Sequence, residues 1–254
     1  MKRSVPSPCP ASRAEWSVNI LLCGLVLLIG WFYFFTQFLD MGKPARDAVK
    51  ALASVLFVLC GLINVWFVRR RTADRRVLRY IGLLCCGQVL ACAGDIVLNF
   101  DFAGGALLFA AGHVLFLAAF CMVDRPRARD LAISLAIMAA AYAFLRFYPP
   151  FQFGEFQAIV YLYAVIISCM LGKGVSLALD KELNPGFRLT VLLGSGLFFL
   201  SDLMLVIHQF ASGGVLFDFF CLLLYYPAEC CLALSVLTGC RLARDRETAS
   251  VPER

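Results

Sequence analysis

Residues 104–123, GGALLFAAGHVLFLAAFCMV, form a stretch that is apolar except for His113 and that decides the fold. The hydrocarbon core of a bilayer is roughly 30 Å thick, and a helix of about 20 residues spans it. Similar stretches recur along the chain, for example at residues 17–38 and 188–209. Because hydrocarbon offers no partners for backbone N–H and C=O groups, spans of this length are predicted to be helices rather than strands. The sequence therefore predicts an all-α integral membrane protein.

Eight spans are predicted, joined by short connections. They cover residues 17–38, 48–68, 80–100, 104–123, 130–147, 155–174, 188–209 and 215–239. Residues 1–16 and 241–254 are predicted to be cytoplasmic tails, and residues 17–240 one membrane-embedded domain. The composition agrees, since 61% of the residues are hydrophobic and 16% are charged, against about half and a quarter in soluble domains.

The basic residues predict the orientation of the bundle. All but four of the 23 lysine and arginine residues fall on one side of the predicted spans. The four on the other side are Lys43, Arg46, Lys50 and Arg146. Since cytoplasmic loops carry the excess of positive charge, both termini are predicted to be cytoplasmic, in a bacterial plasma membrane or a eukaryotic endomembrane. The net charge of +6 is dispersed over helix ends, which indicates contact with a lipid bilayer and argues against nucleic acid.

No cofactor or metal is expected. The 12 cysteines are scattered, and no two have the C-x-x-C spacing of a metal or redox site. Glycine-rich phosphate loops and closely spaced metal ligands are also missing from the sequence. The cysteines therefore indicate small packing residues within the spans.

Three carboxylic acids lie inside predicted spans: Asp95, Asp202 and Glu229. A carboxylate in hydrocarbon is costly unless it faces a cavity or a partner, so such residues indicate function. The residues predicted to share the inward face of Asp95 are Gln88, Cys92 and Asn99. His113 should lie at a depth similar to that of Asp95 and form a hydrogen bond with it.

The four ionisable groups are predicted to converge in the middle or outer half of the bundle, since Glu229 returns to a depth comparable with that of Asp202. The alternative is that these groups only hold neighbouring helices together. For Asp95 and Asp202 a functional role is favoured over this structural one.

A weak internal repeat relates the two aspartates. Residues 94–98, GDIVL, precede Gly104 and Gly105, and residues 201–205, SDLML, precede Gly213 and Gly214. An offset of four helices preserves the direction of the chain. The repeat therefore suggests two parallel four-helix halves, an arrangement that occurs in some transporters.

Several motifs resemble a known family. Residues 93–98, AGDIVL, are followed by Phe109 and by residues 112–116, GHVLF. In the second half, residues 198–202, FFLSD, are followed by residues 225–229, YYPAE. In order and spacing these motifs resemble the Gly-Asp, His, Ser-Asp and closing Tyr-x-x-Ala-Gln signatures of the YhhN-like lysoplasmalogenase family. Glu229 departs from that pattern, which has glutamine at its position.

The resemblance implies a hydrolase that cleaves the vinyl ether bond of lysoplasmalogens, giving a fatty aldehyde and a glycerophosphoethanolamine or glycerophosphocholine. Such bonds are hydrolysed by proton transfer to carbon, which needs a general acid and a carboxylate. Burial favours the neutral form of one carboxyl group while a better solvated one stays ionised.

We expect one of Asp95 and Asp202 to donate the proton and the other to stabilise the cation, with His113 tuning one of them. The residues expected to support catalysis or bind the lysophospholipid are His113, Glu229, Asn99, Ser201, Tyr225 and Tyr226. The sequence specifies neither the head group nor the oligomeric state.

Two other classes of function fit the same composition. A transporter or channel would use the intramembrane acids and His113 to relay protons or bind a cation. A membrane sensor or scaffold is disfavoured, because the short loops offer little docking surface. Only the motifs favour the hydrolase.

Overall fold

A computed structural model of the chain describes residues 11–36, 38–39, 41–148, 151–211 and 214–239. These residues form eight long helices and contain no strand. The helices are α1 (Arg13–Thr36), α2 (Lys43–Arg69), α3 (Arg75–Val97), α4 (Phe102–Val123), α5 (Ala128–Phe147), α6 (Gln157–Leu179), α7 (Pro185–Phe210) and α8 (Val215–Gly239), with a short 3₁₀ turn at Gly154–Phe156 before α6. Each is long and apolar enough to cross a membrane. The predicted all-α, multi-pass fold of eight spans is confirmed. Most of both predicted tails, and Gly213 of the repeat, lie outside the described residues.

Several helices begin earlier than hydropathy predicts, because polar first turns are stabilised by caps. The carboxylate of Asp74 accepts a hydrogen bond from the backbone N–H of Arg76 at 2.7 Å and caps α3. Asn184 caps α7 in the same way, and Asp101 caps α4. The helix α2 begins at Lys43, five residues before the predicted boundary, and Pro44 stands in its first turn.

The helices pack in two equivalent sets. The pairs α1–α2, α2–α3 and α3–α4 of the first half correspond to α5–α6, α6–α7 and α7–α8 of the second. The two halves also meet equivalently, since α8 packs against α2 as α4 packs against α6. In addition, α8 contacts α1 and α3. This pattern supports the two parallel halves that the sequence repeat suggests.

Helices α1 and α5 lie at the periphery of the bundle. Large apolar side chains on them are exposed, including Leu28 and Phe32 on α1 and Leu131 on α5. By contrast, two thirds of the residues in an apolar 18-residue segment of α8 are buried. The core between these helices is aromatic, with Phe57, Phe116, Phe120, Phe198 and Tyr226 fully buried. The exposed apolar surface is the one that a surrounding bilayer would cover.

Glycines let α3 and α4 approach closely. The ring of Phe116 lies against Gly87, and the ring of Phe109 lies against Gly94. At the turn, a Cβ atom on Gly105 would stand 2.8 Å from Cα of Leu98. Small residues at such contacts are typical of membrane helix pairs.

A buried ion pair joins α5 to α6 near the end of the bundle that carries most of the basic residues, here called the basic end. The ammonium of Lys173 lies 2.5 Å from Oδ2 of Asp130, and Ser176 donates to the other oxygen of that carboxylate. Lys173 also donates to the carbonyl of Arg125 at 3.3 Å. Lys173 lies within the predicted span at residues 155–174, and the structure buries it inside α6.

Candidate active site

Asp95 lies on α3 near the opposite end of the bundle, the end away from the basic one, and is only 3% exposed. Its Oδ2 atom accepts hydrogen bonds from Ser54 on α2 at 2.6 Å and from Tyr225 on α8 at 2.8 Å. Its Oδ1 atom lies 3.5 Å from the ammonium of Lys50 on α2. The carboxylate thus ties three helices together, and we call these four residues the Asp95 centre.

The sequence reasoning missed Lys50. The predicted start of the second span at residue 48 puts Lys50 among the charges at a helix end. Because α2 begins at Lys43, Lys50 lies two turns inside it and is 7% exposed. Its ammonium also lies 3.4 Å from Oδ1 of Asn99.

Two of the three residues predicted to share the inward face of Asp95 do point inward. Gln88 is fully buried, and Cys92 packs against the core. Asn99 is not on that helix, because α3 ends at Val97. It belongs to the turn before α4.

Asp202 lies on α7 and forms a second centre with Tyr163 on α6 and His113 on α4. The Tyr163 hydroxyl donates to Oδ2 of Asp202 at 2.6 Å. The Nε2 atom of His113 lies 3.1 Å from the same oxygen and 2.8 Å from the Tyr163 hydroxyl. We call these three residues the Asp202 centre.

The hydrogen-bond network favours one tautomer of His113. Its Nδ1 atom is buried and has no hydrogen-bond partner within the described ranges. A proton on Nδ1 would be a buried, unpaired donor, which is costly. The neutral ring with its proton on Nε2 avoids that cost and donates toward Asp202.

The predicted hydrogen bond between His113 and Asp95 is wrong. Although α3 and α4 form a tight hairpin, Phe109 and Phe116 on α4 fill the contact with α3. His113 points away from that contact, and its ring lies 4.5 Å from Phe198 on α7. It therefore meets Asp202 rather than Asp95.

Glu229 forms a third polar cluster, deeper in the bundle, and is fully buried. The amide nitrogen of Gln88 lies 3.1 Å from Oε2 of Glu229 and 3.2 Å from its backbone carbonyl. The four ionisable groups therefore do not form one cluster. The structure joins His113 to Asp202 and gives Asp95 and Glu229 separate partners.

The remaining predicted site residues, Ser201 and Tyr226, contact neighbouring helices. The hydroxyl of Ser201 donates to the carbonyl of Cys221 at 2.9 Å and links α7 to α8. The ring of Tyr226 packs against Gly30 on α1. Of the tyrosine pair, Tyr225 is the one that meets a carboxylate.

Aromatic rings lie between the two aspartate centres. The ring of Tyr225 is 5.9 Å from that of Phe109 and 5.3 Å from that of Phe198. Phe198 in turn contacts His113. These rings keep the polar groups of the two centres apart, and their contacts link one centre to the other.

Two apolar clefts flank the Asp202 centre, and Asp202 and Tyr163 line both. The first lies between α4, α6 and α7 and has an empty volume of about 410 Å³, including its mouth. Its wall includes Leu98, Phe109 and Leu205. The second, of about 370 Å³, lies between α5, α6 and α7. Each places apolar side chains beside the buried carboxyl group.

The two centres occupy equivalent positions in the two halves of the fold. In each, an aspartate on the third helix of one half accepts a hydrogen bond from a hydroxyl on the second helix of that half. In each, a partner also comes from the fourth helix of the other half, Tyr225 in one case and His113 in the other. The repeat thus extends to the chemistry of the centres.

The described part of the chain brings no three histidine, cysteine, aspartate or glutamate side chains together as a metal site would require. The ten cysteines within it are free thiols.

Comparison with known proteins decides the family. The model of the YhhN family matches residues 46–236, most of the chain. The chain belongs to the YhhN family. The resemblance seen in the motifs is thereby confirmed, and the match includes every residue of both aspartate centres in this YhhN-family protein, from Lys50 to Tyr225. No solved structure gives a significant match to the chain.

Proposed function

We propose that this YhhN-family protein hydrolyses the vinyl ether bond of lysoplasmalogens, releasing a fatty aldehyde and glycerophosphoethanolamine or glycerophosphocholine. Membership of the family suggests a membrane hydrolase of the lysoplasmalogenase type. The observation that carries the proposal is a carboxyl group, Asp202, hydrogen-bonded by Tyr163 and His113 in the wall of an apolar cleft.

The cleft suits the alkenyl chain of the substrate. Ile159 and Leu205 in its wall are partly exposed at the surface of the bundle. A lipid chain therefore enters from the bilayer without crossing water. Ligand sites of this kind are mostly apolar, with a few placed polar groups that fix the reacting atoms.

The chemistry needs one proton and one water molecule. Protonation of the β-carbon of the vinyl ether converts the double bond into an oxocarbenium ion. Water adds to the cationic carbon and loses a proton, giving a hemiacetal. The hemiacetal collapses to the aldehyde, and the glycerol oxygen leaves as an alcohol.

Asp202 is suited to act first as the acid and then as the base. Both hydrogen bonds that the described residues make to it fall on Oδ2, so Oδ1 is the oxygen available to the substrate. After donating its proton, the carboxylate stabilises the adjacent cation and receives the proton of the attacking water. The ring of Phe109 in the cleft wall adds attraction between cation and aromatic face.

Asp95 has the supporting role in this proposal. The ammonium of Lys50 lies 3.5 Å from the Oδ1 atom of its carboxylate. That carboxylate accepts a hydrogen bond from Tyr225. The ring of Tyr225 packs against Phe109 and Phe198, which lie between the two aspartate centres. Asp95 thus positions the aromatic rings that lie between the two centres.

We also propose that the basic end faces the cytoplasm and that both termini lie there. The Asp95 and Asp202 centres would then face the other leaflet.

The two-half arrangement also suits a transporter that uses the same acids to couple protons or cations. Proton or cation flux into liposomes that contain the purified protein, without aldehyde release, would favour that function over hydrolysis.

Hydrolysis in heavy water tests the proposed chemistry. If a proton is delivered to the β-carbon, the released aldehyde carries one deuterium on the carbon next to its carbonyl group. The aldehyde is trapped at once as a hydrazone to prevent later exchange, and its mass is measured. Aldehyde without deuterium would contradict protonation at carbon.

A further inference from the structure

Lys50 is buried but weakly paired. Its two partners, Asp95 and Asn99, lie 3.5 and 3.4 Å from the ammonium, whereas hydrogen bonds between charged groups are usually about 2.7–2.9 Å long. An ammonium has three donors. Since a buried charge is costly unless it is well paired, a closer anionic group would stabilise this ammonium.

A second cation one turn away also has an unmet donor. The Nε atom of Arg46 is buried and has no hydrogen-bond partner among the described residues. Lys43, a turn earlier, donates to the carbonyl of Asn99 at 3.2 Å. Spacings of three and four residues put these side chains on one face of α2.

The charge around these residues is unusual for this end of the bundle. The sequence assigns four cations to it, and three of them occupy the first two turns of α2. The N-cap residue Gly42 offers no side-chain hydrogen bond to the helix. The positive end of the helix dipole therefore adds to the attraction for an anion.

Acidic residues share the neighbourhood. The charges of Asp47 and Asp218 act on Tyr33 together with those of Lys50 and Arg46. This mixture suits a zwitterionic head group, whose phosphate and ammonium need opposite partners.

The turn before α4 links these cations to the cleft. Asn99, which contacts Lys50 and Lys43, directly follows Leu98, and Leu98 lines the cleft of the Asp202 centre. We propose that Lys50 and Arg46 bind the phosphate of the lysophospholipid head group while its chain lies in that cleft. This inference rests on the proposed function. The two related centres have then diverged, one for the head group and one for the chemistry.

Binding of a lipid that cannot react tests this site. The probe is a saturated alkyl-ether lysophosphoethanolamine, which lacks the vinyl bond, and its partner is the same alkylglycerol without phosphate. Affinities are measured with the full-length protein in maltoside detergent. The parent is expected to bind the phosphate-bearing probe at least about tenfold more tightly than the alkylglycerol, as for charged hydrogen bonds.

Matched variants locate the effect. Arg46→Gln and Lys50→Gln should each remove most of the preference for the phosphate-bearing probe, while Lys50→Arg should keep it. Arg146→Gln changes the fourth cation of this end and should have no effect. Since Lys50→Gln removes the cation beside Asp95, Arg46→Gln decides the result if the former does not fold.

Each outcome has a distinct meaning. Equal binding of both probes by the parent, or an unchanged preference in Arg46→Gln, would overturn the site. Displacement of the probe by inorganic phosphate, but not by glycerophosphoethanolamine, would indicate a free-phosphate site instead and overturn the head-group assignment. Phosphate-dependent binding without aldehyde release from a lysoplasmalogen would keep the site and refute the proposed reaction.

Discussion

The hydroxyl of Tyr163 on α6 lies 2.6 Å from Oδ2 of Asp202 on α7, at a point where both residues line two apolar clefts. The phenol donates to one oxygen of the carboxyl group and leaves the other without a hydrogen bond from the described residues. In our proposal this contact orients the acid, because the carboxyl group cannot rotate without losing the hydrogen bond.

Replacing Tyr163 by phenylalanine is expected to lower kcat for aldehyde release about tenfold, the usual scale for one hydrogen bond to a charged group. KM should change little, since the ring that lines the cleft stays. Steady-state kinetics with a lysoplasmalogen measure both values. Tyr142→Phe is the matched control, because Tyr142 donates to the carbonyl of Tyr161 and does not line either cleft. Equal losses in the two variants would argue against an orienting role.

Asp95→Asn is expected to retain measurable turnover and to raise KM, because it weakens the carboxylate that holds Lys50 and Tyr225. The same kinetics provide the test, with Asp101→Asn as the control. Asparagine caps a helix about as well as aspartate, so the control should behave like the parent. A complete loss of turnover in Asp95→Asn, in a folded protein, would mean that Asp95 takes part in the proton transfer itself.

Gly105→Ala should destabilise the protein by about 1–3 kcal/mol, as overpacking usually does. The added Cβ would stand 2.8 Å from Cα of Leu98, and backbone cannot move aside as a side-chain tip can. Gly196→Ala is the matched control, because its Cβ would meet nothing within 4 Å. Thermal unfolding in detergent compares the two. A Gly105→Ala variant as stable as the control would show that the turn between α3 and α4 yields easily.

Both termini are expected on the cytoplasmic side of the membrane, because the sequence assigns nearly all lysine and arginine residues to the basic end. Reporter fusions at the C-terminus measure this, using one reporter that is active only in the cytoplasm and one active only outside it. Fusions after Tyr148, between α5 and α6, should give the opposite result. The reverse pattern would contradict the proposed orientation.

The sequence predicts the eight helices well, because the length and apolarity of a span are properties of local sequence. It also predicts burial of Asp95, Asp202 and Glu229, since a carboxyl group inside such a span must turn inward. The repeat around the two aspartates predicts the pairing of helices in two halves.

Two partners of those acids, Lys50 and Tyr163, could not be predicted from the sequence. Lys50 lay next to a predicted boundary, and a shift of five residues in the start of α2 moved it from a helix end to the interior. Tyr163 was one aromatic residue among many, and nothing local shows that α6 packs against α4. The hairpin of α3 and α4 suggested that His113 meets Asp95, whereas the rings of Phe109 and Phe116 occupy that contact.

The most direct test of the account is aldehyde release from a lysoplasmalogen by the purified parent and by Asp202→Asn. The amide keeps the size of the side chain but cannot donate a proton as a carboxylic acid does. We expect aldehyde from the parent and a loss of at least about 100-fold in the variant, the lower range for general acid catalysis, with the same unfolding temperature. A folded Asp202→Asn protein that releases aldehyde at the parent's rate would contradict the central claim.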